Sequence, residues 1–169
     1  MKAINYKKFL KNILSLFLTL LVMSNLMDFI RKPTVPEDIN ATALYDLQGN
    51  PFFLPQLAQD KPTIVYFWGT WCGYCRYTSP TINALAKEGY PVVSIALRSG
   101  STQDVTDYLK EHQYEFTTVN DPHGALANQW GVNVTPTIIL LHQGKMDLAT
   151  TGWTSYWGLQ VRLFLTTFL

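Results

Sequence analysis

Cys72 and Cys75 are the only cysteines in a chain of 169 residues, and only Gly73 and Tyr74 separate them. Two thiols at this spacing serve as a disulfide staple, as half of a metal site, or as a redox couple. A staple across two intervening residues closes a minimal loop and removes only about 2 kcal/mol of unfolded-chain entropy, so a stabilising bridge would span more chain. As zinc ligands the pair needs two further donors, and His112, His123 and His142 lie in three separate segments with no paired spacing, so no metal site is assigned. A redox couple makes better chemical sense of the placement. The apolar run ending at Trp68 presents Cys72 where a helix begins, so its sulfur faces free backbone N–H groups and the positive end of the helix dipole, both of which favour thiolate. Cys75, one turn further on, is then placed to attack a mixed disulfide on Cys72. The Cys72–Cys75 disulfide itself would be the redox group, and no other cofactor is expected.

The elements that must hold this pair are readable in outline. Residues 63–68, "TIVYFW", are β-branched and aromatic without alternation, as in a strand buried on both faces, and the pattern turns helical from Tyr74 to about Lys87, with Pro80 as a kink. "YPVVSIAL", Tyr90 to Leu97, is a second buried strand, so the cysteines sit in a β-α-β unit. Ahead of it, two short apolar runs flank Gln48-Gly49-Asn50 as a hairpin. Beyond it come a helix opened by the capping pair Ser101 and Asp104, with Val105, Tyr108, Leu109 and His112 on one face, a short strand near Thr117 to Val119, and a helix from Ala125 to Trp130. A second hairpin, Pro136 to Trp153, turns at Gln143-Gly144, and a last helix presents Trp157, Val161, Phe164, Leu165 and Phe168 as its core face. The order predicts an α/β sandwich with a mixed central sheet.

Apolar residues make up 47% of the chain, enough for one domain with its own core. The net charge of +1 conceals an asymmetry: residues 1–32 carry six basic side chains against Asp28, whereas the remainder carries seven against eleven acids. A mildly acidic body without a basic stripe excludes a nucleic-acid partner. The basic head precedes "ILSLFLTLLVMSNLM", Ile13 to Met27, which has no charge. Extended to Ile30 this run makes a helix of roughly 27 Å, just enough for a hydrocarbon core near 30 Å. No small residues sit where a signal peptidase would cut, so an uncleaved anchor is preferred to a cleaved signal. Lysines before the run keep the N-terminus cytoplasmic, and the body then faces a compartment where disulfides persist. The expected organisation is a cytoplasmic stub and transmembrane helix over 1–31, a proline-containing linker over 32–41, and a catalytic domain over 42–169.

"FWGTWCGYC", Pro80 five residues after Cys75, and "GVNVTPT" with Thr135-Pro136 before an apolar strand together resemble the thioredoxin-like superfamily over residues 42–169. With the anchor, the "NDPHGALANQWGV" stretch and the "HQGK" hairpin, the chain looks like the membrane-tethered TlpA/ResA-type branch and its copper-sensitivity suppressors. The resemblance implies a three-layer sandwich in which Cys72 is the exposed nucleophile and Cys75 the buried resolving thiol. It implies a cis Pro136, with Thr135 offering backbone hydrogen bonds to a substrate peptide, and Trp71, Gly73 and Tyr74 shaping substrate approach. It further implies exported proteins bearing thiols or disulfides as substrates, a membrane electron donor of the DsbD/CcdA type, and a single-pass location in the bacterial inner membrane with a periplasmic catalytic domain.

Departures from the pattern narrow the reading. The strand position that carries an acid in thioredoxin is Tyr66, and the position of the ResA-type glutamate is Thr78, so no carboxylate lies between Phe67 and Pro80. Proton transfer must then use water, a hydroxyl or a distant acid. Gly73-Tyr74 resembles the dipeptide of periplasmic disulfide isomerases, but those enzymes have a separate dimerisation domain that is not expected here, so a reductase is expected, with isomerase or oxidase action of the same pair as alternatives. A copper-handling thiol module and a redox-inert adaptor are the rival classes.

Overall fold

The computed structural model describes residues 6–31, 33–39, 41–57, 61–143 and 145–166. By internal contacts the chain divides into Met1–Lys32 and Pro33–Leu169. The first unit is the helix α1, Tyr6–Ile30. Among the described residues no helix is long and apolar enough to cross a membrane, so the expected span is unmet. Lys7, Lys8 and Lys11 occupy the first turns of α1, and the charge-free stretch from residue 12 to 27 measures only about 24 Å.

The second unit begins earlier than expected. The stretch assigned to a linker folds onto the domain from Pro33: the Thr34 N–H donates to the Trp130 carbonyl at 2.9 Å, and Ile39 is buried. Val35 and Ile39, on either side of Pro36, supply the apolar contacts that hold it there. The hairpin follows as β1, Leu44–Tyr45, and β2, Pro51–Phe52, and then the short α2, Leu54–Leu57.

The main sheet is built from β3 (Thr63–Trp68), β4 (Val92–Leu97), β5 (Thr117–Asp121), β6 (Thr137–His142) and β7 (Lys145–Thr151), in the order β5-β4-β3-β6-β7. β3, β4 and β5 run parallel, whereas β6 and β7 return antiparallel, which gives the expected mixed sheet. Every residue of β3 is buried because it lies at the centre of the sheet with a core on each face. Ile64, Tyr66 and Trp68 point into one cluster, shared with α3 (Cys75–Lys87), α4 (Thr102–Glu111) and α6 (Tyr156–Thr166). Val65 and Phe67 point into the other, with α5 (Ala125–Gln129), Trp130 and Ile39. This two-sided packing produces the three layers.

Local rules agree with these boundaries. Ser101 and Asp104 form a complete capping box at α4: the Asp104 N–H donates to Ser101 Oγ, and the Asp104 carboxylate accepts from the Ser101 N–H at 2.7 Å. Gln143 at the second hairpin has φ of +50°, and its expected partner Gly144 lies outside the described residues. The last helix is a correction. Leu159, Leu163 and Thr166 form its buried side, whereas Trp157 is 76% exposed and Val161, Phe164 and Leu165 also face outward; Phe168 lies outside the described residues. The rotation is held by polar contacts: Tyr156 Oη and Gln160 Nε2 donate to the two Glu88 oxygens at 2.8 and 3.0 Å. With apolar residues all round this helix, large aromatics were a poor guide to its inner side, and leucines four apart fill it instead.

Candidate active site

The pair sits where β3 gives way to α3. The Cys72 and Cys75 sulfurs are joined in a disulfide, with their Cα atoms 5.2 Å apart. The chain reaches it by a tight descent in which the Cys72 N–H donates to the Gly69 carbonyl and the Cys75 N–H to the Cys72 carbonyl, each at 3.1 Å. The Cys75 N–H also lies 3.2 Å from Cys72 Sγ. This is the helix-start donor expected to stabilise a Cys72 thiolate. Cys72 keeps 7% of its surface and Cys75 1%. The expected asymmetry holds in order, but Cys72 is an accessible edge and not an openly exposed side chain.

Three aromatic residues close to the cysteines in sequence, Trp71, Tyr74 and Tyr77, are each more than half exposed. Trp71 is fixed by its indole N–H, which donates to the Leu97 carbonyl at 3.0 Å. Gly69 makes that pose available, because a Cβ there would fall 2.7 Å from the indole ring. The need for glycine here is close approach, a signal the motif does not display in sequence. Gly73, Tyr74, Arg76 and Tyr77 line a shallow hollow of about 400 Å³ beside the cysteines. Arg76 and Tyr77 were not singled out in sequence.

Thr135-Pro136 belongs to the same end of the sheet. The Thr135-Pro136 peptide is cis, and the Pro136 carbonyl accepts from the Gly152 N–H at 2.8 Å. Because β6 opposes β3 with Phe67 against Thr137, Pro136 falls beside the end of β3 that leads into the cysteines. Trp68 takes the core role, fully buried between Tyr66 and Tyr108.

Beneath the disulfide the surroundings are apolar. Cys72 and Cys75 share a buried cluster with Tyr66, Trp68, Ile82, Ala96 and Phe116. Thr78, in the position of the missing glutamate, spends its hydroxyl on the Tyr74 carbonyl at 3.3 Å. Tyr66, in the position of the missing strand acid, bonds Ser79 Oγ at 2.9 Å, and burial pushes its phenol well above the ordinary range. On α4, Asp104, Asp107 and Glu111 line a hollow with Thr70, Ser99 and Tyr108. Burial raises the Tyr108 phenol, and Arg76 opposes that rise. Among the described residues no group of three or more His, Cys, Asp or Glu side chains is arranged to hold a metal. An oxidised pair at a helix start, its second sulfur sealed in an apolar core, is built for thiol-disulfide exchange.

Residues 35–151 match the AhpC/TSA family. The chain is 67% identical to a thioredoxin-like protein of Haemophilus influenzae, over 96% of this chain and 97% of that one. It is 28% identical to the thiol:disulfide interchange protein DsbE of Pseudomonas aeruginosa, over 48% of this chain and 45% of that protein. A secreted disulfide oxidoreductase of Mycobacterium tuberculosis superposes on 76% of this chain and 98% of its own, with a TM-score of 0.64 at 22% identity, which shows the shared fold. These matches bear out the thioredoxin-like level of the expected kinship, and the finer TlpA/ResA-type branch is carried into the proposal below. With the fold, the family match and the interchange homologue in agreement, the chain belongs to the AhpC/TSA family and is a thiol-disulfide oxidoreductase of the thioredoxin-like fold.

Proposed function

We propose that this protein is a membrane-tethered reductase of disulfides in exported proteins, close to the TlpA/ResA-type branch. The observation that carries the reading is the disulfide at the start of α3, with a backbone N–H on the sulfur of Cys72 and Cys75 sealed behind it. In the reducing direction Cys72 thiolate attacks one sulfur of a substrate disulfide, forming a mixed disulfide and releasing a substrate thiolate that takes up a proton. Cys75 loses its proton to solvent and attacks Cys72; the Cys72–Cys75 bond forms, and the second substrate thiol leaves. The substrate gains two electrons and the pair loses two. Trp71, Gly73, Tyr74, Thr135 and Pro136 would border the approach to Cys72 and receive an extended substrate segment.

The oxidised pair must be re-reduced for another turn, so a membrane electron donor of the DsbD/CcdA type is the natural partner. Attachment to the inner membrane, with the domain on the periplasmic side, is supported by the lysines that precede the uncharged run of α1. A run of that length is accommodated by local thinning of the bilayer and by snorkelling of the flanking lysines. The test is the redox state of the pair in cells. After acid quenching and thiol alkylation, the chain in the membrane fraction is expected mostly reduced, and to turn oxidised when the donor is deleted. A pair that is oxidised in both backgrounds would overturn the reductase reading in favour of an oxidase.

A further inference from the structure

Cys75 is 1% exposed, and to react it must carry a negative charge in a cluster of aromatic and aliphatic side chains. An unsolvated thiolate there is strongly disfavoured unless a donor reaches it. α3 carries one on the same side. Ser79 follows Cys75 by four residues and is equally buried, so the two lie one above the other on the helix's inner side. Ser79 Oγ and Tyr66 Oη are 2.9 Å apart, and either can be the donor. Two hydroxyl hydrogens are present and the bond between them uses one. Whichever way it points, one buried O–H has no partner among the described residues. The indole N–H of Trp68, stacked parallel to Tyr66 in the same cluster, is likewise buried without a partner. Surplus donors in an apolar pocket suit an anion.

We infer that the Tyr66–Ser79 hydroxyl pair is the positioning device that solvates the Cys75 thiolate, turning its spare O–H toward the sulfur once the disulfide opens. The inference rests on the proposed role of Cys75 as resolving thiol. Tyr108 of α4 and Tyr114 before β5 act on Tyr66, while Tyr90 after α3 and Tyr156 of α6, the latter bonded to Glu88, pack against the cluster. His112 stacks on Tyr108, and beyond it Arg76 and Glu111 act on Tyr108. None of these supplies a carboxylate inside the cluster. Burial holds the Tyr66 phenol protonated across the working range, so it remains a donor while Cys75 ionises.

The test is the pH profile of Cys75 alkylation by iodoacetamide in the full chain carrying Cys72→Ala, with Tyr66→Phe and Ser79→Ala compared singly against that background. Loss of a donor to an anion is expected to move the midpoint up by about one pH unit, hence roughly tenfold slower alkylation at pH below both midpoints, with the alkaline plateau unchanged. Midpoints that stay in place for both substitutions overturn the inference, as does a loss of plateau rate without a shift. Ser79→Ala removes one oxygen atom and keeps the assay informative if Tyr66→Phe perturbs the core. The profile is read without any substrate, so it stands apart from the proposed function: a wild-type chain that fails to reduce protein disulfides would refute that function and leave the midpoints to decide the inference.

Discussion

Replacing Cys72 with serine is expected to abolish disulfide reduction, a loss of at least about a thousandfold in kcat/KM, because a hydroxyl at this position is not ionised near neutral pH and cannot form the mixed disulfide. Cys75→Ala has a different expected outcome. Cys72 keeps the backbone N–H that stabilises its thiolate and still attacks, but nothing releases the adduct. Substrate proteins should therefore accumulate as Cys72-linked species that non-reducing electrophoresis resolves and dithiothreitol dissolves. The two variants together separate first attack from resolution. Equal and complete inertness of both, with no adduct for Cys75→Ala, would place the chemistry elsewhere, and full activity of Cys72→Ser would remove the nucleophile assigned here.

The second large effect concerns α6 and distinguishes its two sides. Leu163→Ala is expected to destabilise the domain by about 2–5 kcal/mol, because it opens a cavity in the cluster shared with Tyr66 and Cys75. Trp157→Ala removes a far larger side chain that is 76% exposed, and its cost is expected to stay within about 0.5 kcal/mol. Urea denaturation of the full-length variants measures both. The opposite ranking would restore the aromatic side of the helix as the core.

Those two predictions mark where sequence reading succeeded and where it failed. β3 was legible because an unbroken β-branched and aromatic run fits only a strand with a core on each face, and the structure divides that run between two clusters. The start of α4 was legible because Ser101 and Asp104 act locally, through bonds across three residues. α6 was not, because the side facing inward is decided by contacts remote in sequence, notably Tyr156 and Gln160 on Glu88, and periodicity alone could not choose between two apolar stripes. The stretch after Pro33 misled in the same way, since its docking depends on Trp130. At the site, Cys72, Cys75 and Trp71 stood out through the local motif. The hydroxyl pair did not, because Tyr66 and Ser79 meet only after β3 and α3 pack together. Gly69 escaped notice for a related reason: its small size matters only against the folded position of the Trp71 ring.

The central claim is that Cys72 and Cys75 form a couple that turns over and not a staple. Equilibrating the full chain across mixtures of reduced and oxidised dithiothreitol and glutathione, then counting alkylated thiols, tests it most directly. A single reversible two-electron transition is expected within the range spanned by catalytic couples, between about −270 and −120 mV. A disulfide that stays closed well below about −300 mV would mark it as structural and contradict the account.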